Sequence, residues 1–229
     1  MNKSQILKNN GFIYEFNNEQ IIKSVKMLKN ERTKGMDKNV HPYKQRGDTC
    51  AIACMMMVLE YYHIMDKANW YDERRLYRIY GSKYMDGTPF SALAYHFSKN
   101  GLTATIYHSD ENLFSNDKKE LDKNTFNYAM NEYKKYLERA VLKGTKVISG
   151  IDINTDFIKE RMQNGNIIIL AGQINKSFHA ILISGYKEDK FIVCDPLYKN
   201  QQIRSADELT DFMNTGIGKW FITVKGKVN

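Results

Sequence analysis

Along the first two thirds of the chain apolar residues recur every three to four positions. In the last third they gather into short continuous runs. Ile21, Ile22, Val25 and Leu28 form a helical stripe within 18–28, the one helix expected in an otherwise polar N-terminal extension over 1–40. The stretch 51–62 is apolar at almost every position and carries a single charge, Glu60, so it predicts a helix buried on all sides. Helical spacing returns at 69–80, at 89–99 and at 155–164, and most clearly at 122–142, where Phe126, Met130, Tyr133, Leu137 and Val141 share one stripe. Leu102 to Tyr107 alternates weakly and predicts a short strand. The β-branched and aromatic runs 167–171, 179–184, 191–194 and 220–224, each bounded by turn residues, predict further strands. Helices that precede strands imply an α+β fold, with a helical half packed on a mostly antiparallel sheet in one domain over 41–229.

Composition narrows the function classes. With 229 residues, 42% of them apolar, the chain has enough material for a core, which excludes global disorder. No apolar run approaches the ~18 residues of a membrane-crossing helix. The first residues, MNKSQILKNNGFIYEF, lack the continuous apolar stretch of a secretory signal. Three Cys do not make a disulfide framework. These features together predict a reducing, cytoplasmic setting, or export by a route without such a signal. The 34 Lys+Arg against 26 Asp+Glu give a net charge of +8, but the lysines are spread among Asn and Glu with no basic block. That pattern predicts a solvated basic surface rather than a nucleic-acid partner.

Candidate chemistry centres on Cys50. It follows the loop His41-Pro-Tyr-Lys-Gln-Arg-Gly-Asp-Thr49, in which Asp48 or Thr49 is placed to cap the buried helix. The unpaired amides and positive dipole end of a helix start favour a thiolate. Cys54 lies one turn further in and reads as a small buried side chain. Of the five His, His63 falls at the far end of the same helix, roughly 20 Å away at ~1.5 Å per residue. His96 reads as packing within its helix, and His41 and His108 as exposed loop residues. His179 opens an apolar strand, a rigid support for a working base, and Asp195 closes the next strand before Pro196. An acceptor on the imidazole would fix its tautomer. In a regular hairpin the two side chains share a face if the turn centres on Lys187, and face apart if it centres on Glu188-Asp189. No Cys or His pair has zinc-site spacing and no glycine-rich phosphate loop exists, so no metal or cofactor is expected.

Gln45-Arg-Gly-Asp-Thr-Cys50-Ala-Ile-Ala-Cys54, continued by Met-Met-Met-Val-Leu-Glu-Tyr-Tyr62, resembles the nucleophile block of the bacteriocin-processing, double-glycine leader peptidases and their papain-like relatives. Asp86-Gly87-Thr88-Pro89 with Asn100-Gly101-Leu102, His179 to Tyr186, Asp195-Pro196, and Trp220 to Val224 resemble its later blocks. Ala51-Ile52 stands where that family has Gly-Pro, and Gln45 is one position closer to the nucleophile than is common. The resemblance covers about 41–225, with 1–40 and the helical segment 111–148 as additions. It implies a papain-like fold and a cysteine peptidase acting on peptide or protein substrates, after small residues such as glycine. Cys50 would be its nucleophile, His179 its base, Asp195 the orienting carboxylate and Gln45 an oxyanion-hole donor. An acyltransferase on the same scaffold and a non-catalytic leader-binding module are the competing readings.

Overall fold

The computed structural model describes residues 5–9, 12–16, 36–110, 122–175, 177–215 and 219–226. By internal contact the chain divides into Met1–Gly35 and Met36–Asn229. In the first unit, β1 (Gln5–Asn9) and β2 (Phe12–Phe16) pair antiparallel as a hairpin that the sequence pattern did not predict. The helix expected over 18–28 lies outside the described residues.

The second unit is built on one sheet. Its strands are β3 (Met36–Asp37), β4 (Thr103–His108), β5 (Lys146–Ile148), β6 (Ile167–Ile174), β7 (Ser177–Lys187), β8 (Lys190–Cys194), β9 (Gln202–Ser205) and β10 (Trp220–Lys225). The order is β5-β4-β10-β6-β7-β8-β9, with β3 added to β7. Every pairing is antiparallel except β4 with β5. Strand β10 thus sits in mid-sheet, between β4 and β6.

Helices cover both faces. On the front lie α1 (Cys50–Tyr61), α2 (Trp70–Tyr80) and α3 (Phe90–Lys99), with α4 (Lys123–Leu142) packed along α3. Helix α1 is buried through its first ten residues, as its unbroken apolar run requires. It meets Ile167, Ile169, Ala180 and Leu182 of the sheet. On the back lie α5 (Thr155–Gln163) and α6 (Ala206–Asn214), which bury Ile158, Met162, Leu209, Phe212 and Met213 against Ile168, Leu170, Ile181 and Ile183. The sequence pattern led to the expectation of a single helical half, and the second layer is the main addition to it. The physical reason is visible in β6 and β7. Their residues are apolar on both faces, and a strand buried on both sides reads as a continuous run rather than an alternation.

Two helix starts differ from expectation. Thr49 occupies the N-cap position of α1, but its side chain makes no cap hydrogen bond. Helix α3 begins at Phe90, with Pro89 as its N-cap rather than the first residue of the 89–99 stretch.

Helix α6 approaches β6 so closely at Gly172 that no side chain fits. A Cβ there would lie 2.6 Å from both the Phe212 ring and the Phe212 carbonyl oxygen. Gly172→Ala is therefore expected to destabilise the fold by about 1–3 kcal/mol, the usual cost of overpacking. Gly47→Ala, with nothing within 4 Å of the added atom, should stay within about 0.5 kcal/mol. Urea denaturation of the two variants checks the difference.

Candidate active site

Cys50 is the first residue of α1, and the loop that delivers it is tied to one carboxylate. Glu73, in the first turn of α2, is only 2% exposed. It accepts hydrogen bonds from the Tyr43 hydroxyl at 2.6 Å, from the Arg46 backbone N–H at 3.0 Å and from the Thr49 hydroxyl. Burial and the Glu73 charge push the Tyr43 phenol well above its ordinary pKa. Because Thr49 spends its hydroxyl on Glu73, no side chain caps the amides at the start of α1. Nothing in the sequence separates Glu73 from its neighbour Asp72, which pairs with Arg75 near the surface, so this anchor was not foreseen.

Gln45 lies inside the same loop. Its backbone N–H donates to the Pro196 carbonyl at 2.9 Å, which fastens the loop beside Asp195. Its side-chain Nε2 donates to the Gly47 carbonyl at 2.6 Å, which uses one of its two amide hydrogens.

The turn between β7 and β8 is Glu188-Asp189, with φ of 50° and 59° and Lys187 paired to Lys190. Positive φ at both central residues is the geometry of a tight two-residue hairpin. In a regular ladder this turn would send the side chains of His179 and Asp195 to opposite faces. A bulge prevents it. The register shifts between Ile183 and Gly185, so Ile183 faces Val193 and Leu182 faces Cys194. Continued by one residue, that register sets Asp195 opposite Ile181, on the face that His179 shares. The extra residue is Ser184, fully buried, whose carbonyl accepts from the Lys38 N–H at 3.1 Å just past β3.

The result is a hydrogen bond of 2.8 Å between His179 Nε2 and Asp195 Oδ1. The same Asp195 oxygen accepts from the Leu197 N–H at 3.0 Å, and Oδ2 accepts from Arg204 Nη2 at 2.6 Å. Arg204, on β9, also lies over the Phe212 ring, and that ring meets His179 edge-on. Burial works against the Asp195 charge. Hydrogen bonds from His179 and Leu197, with the charges of His179 and Arg204, outweigh it and hold the carboxyl below its ordinary pKa. Burial likewise opposes charge on His179. Its hydrogen bonds to Asp195 and to the Cys50 side chain, and the negative charge of both, push it up to about 9. With Nε2 committed to Asp195, Nδ1 is the nitrogen that faces Cys50.

The structure therefore brings Cys50, His179 and Asp195 together, and holds Gln45 next to them through its backbone. Arg204 joins the group without any signal in the polar strand Gln-Ile-Arg-Ser. The other thiols stand apart. Burial raises Cys54 well above its ordinary pKa, and raises Cys194 to about 11. Among the remaining His, His41 is exposed and meets Glu60. His96 bonds the Tyr80 hydroxyl and is pushed down to about 4 by burial. His108 departs from expectation: it ends β4, is 1% exposed and stacks on Trp220. No cluster of three or more His, Cys, Asp or Glu suited to a metal occurs among the described residues.

A cavity of about 150 Å³ opens beside the thiol, with Cys50, Ala51, His179 and Ala180 in its wall.

No curated protein matches this chain. Among solved structures, the peptidase domain of Streptococcus ComA, a bi-functional ABC transporter involved in a quorum-sensing pathway, is 14% identical with a TM-score of 0.45, over 82% of this chain and 100% of that one. A Bacillus anthracis protein described as C39-like peptidase is 11% identical with a TM-score of 0.43, over 86% of this chain and 100% of that one. The model of the Peptidase_C39 like family matches residues 37–227, nearly the whole of the second unit. The chain belongs to the Peptidase_C39 like family, a family of cysteine peptidases.

Proposed function

We propose that this chain hydrolyses peptide bonds with Cys50 as nucleophile, His179 as acid and base, and Asp195 as the group that orients His179. The observation that carries this reading is the double engagement of one imidazole, Nε2 on Asp195 and the ring's other side on the Cys50 side chain.

With its proton already held by His179 in the resting site, the Cys50 sulfur attacks the scissile carbonyl carbon. The carbonyl π electrons move to the oxygen. That oxygen is met by the uncapped Cys50 N–H and by the remaining amide hydrogen of Gln45. As the oxyanion collapses, the C–N bond breaks and His179 gives its proton to the leaving amine. The acyl group is left on sulfur. Water, deprotonated by the now neutral His179, attacks the thioester; the acid departs, and the Cys50 sulfur is freed beside the reprotonated His179. Arg204 keeps Asp195 ionised and fixed, so the imidazolium always has a charged partner. Resemblance to the double-glycine leader peptidases supports cleavage after a small residue such as glycine.

Three outcomes are expected. Incubated with a cell lysate, the protein should generate new peptide N-termini readable by mass spectrometry, and Cys50→Ala should lose at least ~10³-fold of that rate. Gln45→Ala should lower kcat by about 10²–10³ while iodoacetamide still labels Cys50 ahead of Cys54 and Cys194. Identical N-termini from wild type and Cys50→Ala would refute the reading.

The pH profile supplies the third. His179 must be protonated to release the amine, and its pKa is raised from 6.5 to about 9. The competent charge state is thus complete at neutral pH and is lost as pH rises. Measured kcat/KM should fall along an alkaline limb centred near pH 9. A limb at or below pH 7 would contradict it.

A further inference from the structure

The cavity beside Cys50 is larger and more apolar than hydrolysis after glycine requires. Its far walls are mostly apolar, with Met85, Phe90, Phe126, Met130 and Trp220 beside the polar Asp86 and Thr88, and Cys50 and His179 at the near end. Its volume is about 150 Å³. A cavity of roughly that volume accommodates a benzene ring. Half-exposed Phe178, next to His179 in the sequence, also lines it, so an apolar edge remains open to solvent.

The walls are braced rather than loose. Helix α4 carries Phe126, Met130 and buried Tyr133 on one side of the cavity, and the segment 82–90 forms the other side. Ser82 donates to Glu132 of α4 at 2.5 Å, and its hydroxyl oxygen accepts from the Tyr84 and Met85 N–H groups. Tyr84 stacks on Tyr128 with ring centroids 5.0 Å apart. Tyr136 donates to the Ile79 carbonyl at 2.9 Å. A cavity whose two walls are cross-linked before substrate arrives offers its apolar surface at little ordering cost.

We propose that this cavity receives one bulky apolar side chain of the peptide substrate, aromatic or large aliphatic, from one of the two residues that precede the scissile bond. The proposal rests on Cys50 being the nucleophile. It assigns α4 the task of selecting substrate. A carboxylate side chain meets Asp86 in the wall and no cation there except His179, which Asp195 already pairs, so it is disfavoured by repulsion and desolvation.

The test uses four acetyl-dipeptide fluoromethyl ketones: Gly-Gly, Phe-Gly, Gly-Phe and Asp-Gly. The alkylation rate of Cys50 is read by intact-protein mass spectrometry, with iodoacetamide as the reference thiol reagent. One of the two Phe compounds should react about tenfold or more faster than Gly-Gly, and Asp-Gly more slowly. Ala129→Trp, which fills the cavity from α4, should bring the Phe-to-Gly ratio close to one. Met130→Ala, which enlarges it, should favour a naphthylalanine compound over the Phe one. Gly-Gly matching or beating both Phe compounds, while iodoacetamide labels Cys50, overturns the cavity assignment and leaves the peptidase reading intact. Failure of iodoacetamide to label Cys50 ahead of Cys54 and Cys194 overturns both.

Discussion

Everything proposed for this site depends on the hydrogen bond between His179 and Asp195, and that bond depends on one extra residue in a strand. The tight Glu188-Asp189 turn imposes a register in which the two side chains would point apart. The bulge at Ser184 shifts the register by one and brings them to a common face. Because strand side chains alternate with a period of two, no smaller adjustment can do this. Once Asp195 is on the right face, it is held from three directions, by His179, by the Leu197 amide and by Arg204. A buried carboxylate so saturated has no freedom to rotate away, which fixes the imidazole plane and the nitrogen turned toward Cys50.

The Cys50 side of the site is organised by a second buried carboxylate. Glu73 gathers three donors from the loop before α1, and the Gln45 backbone ties that loop to Pro196 beside Asp195. The two halves of the site are therefore linked covalently through the chain and non-covalently across it. Removal of one partner of such a buried network leaves the others desolvated and unpaired, which is why substitutions here should cost more than any single contact is worth.

Much of this was legible in the sequence, and the gaps have physical causes. The buried helix from Cys50 followed from an unbroken apolar run, and α4 at Lys123–Leu142 followed from its stripe to within a residue. The order Gln45, Cys50, His179, Asp195 carried the family resemblance. What stayed hidden was of two kinds. Some signals were present but unread. Ser205-Ala-Asp-Glu208 is a capping box ahead of Leu209, Phe212 and Met213, and it marks α6. The two-sided apolar runs of β6 and β7 likewise imply a second helical layer. Other features have no local signature. A bulge at Ser184, a buried Glu73 and an edge-strand Arg204 reaching Asp195 are set by tertiary contacts between residues far apart in sequence.

The central claim is that Asp195 holds His179 in its charged form against Cys50. The most direct measurement is an NMR pH titration of the ¹⁵N-labelled His179 ring in the wild type and in Asp195→Asn. The account predicts a wild-type imidazolium that persists up to about pH 9, and a variant whose His179 titrates closer to the ordinary 6.5. A wild-type His179 that is already neutral at pH 7, or that titrates identically in Asp195→Asn, would contradict it.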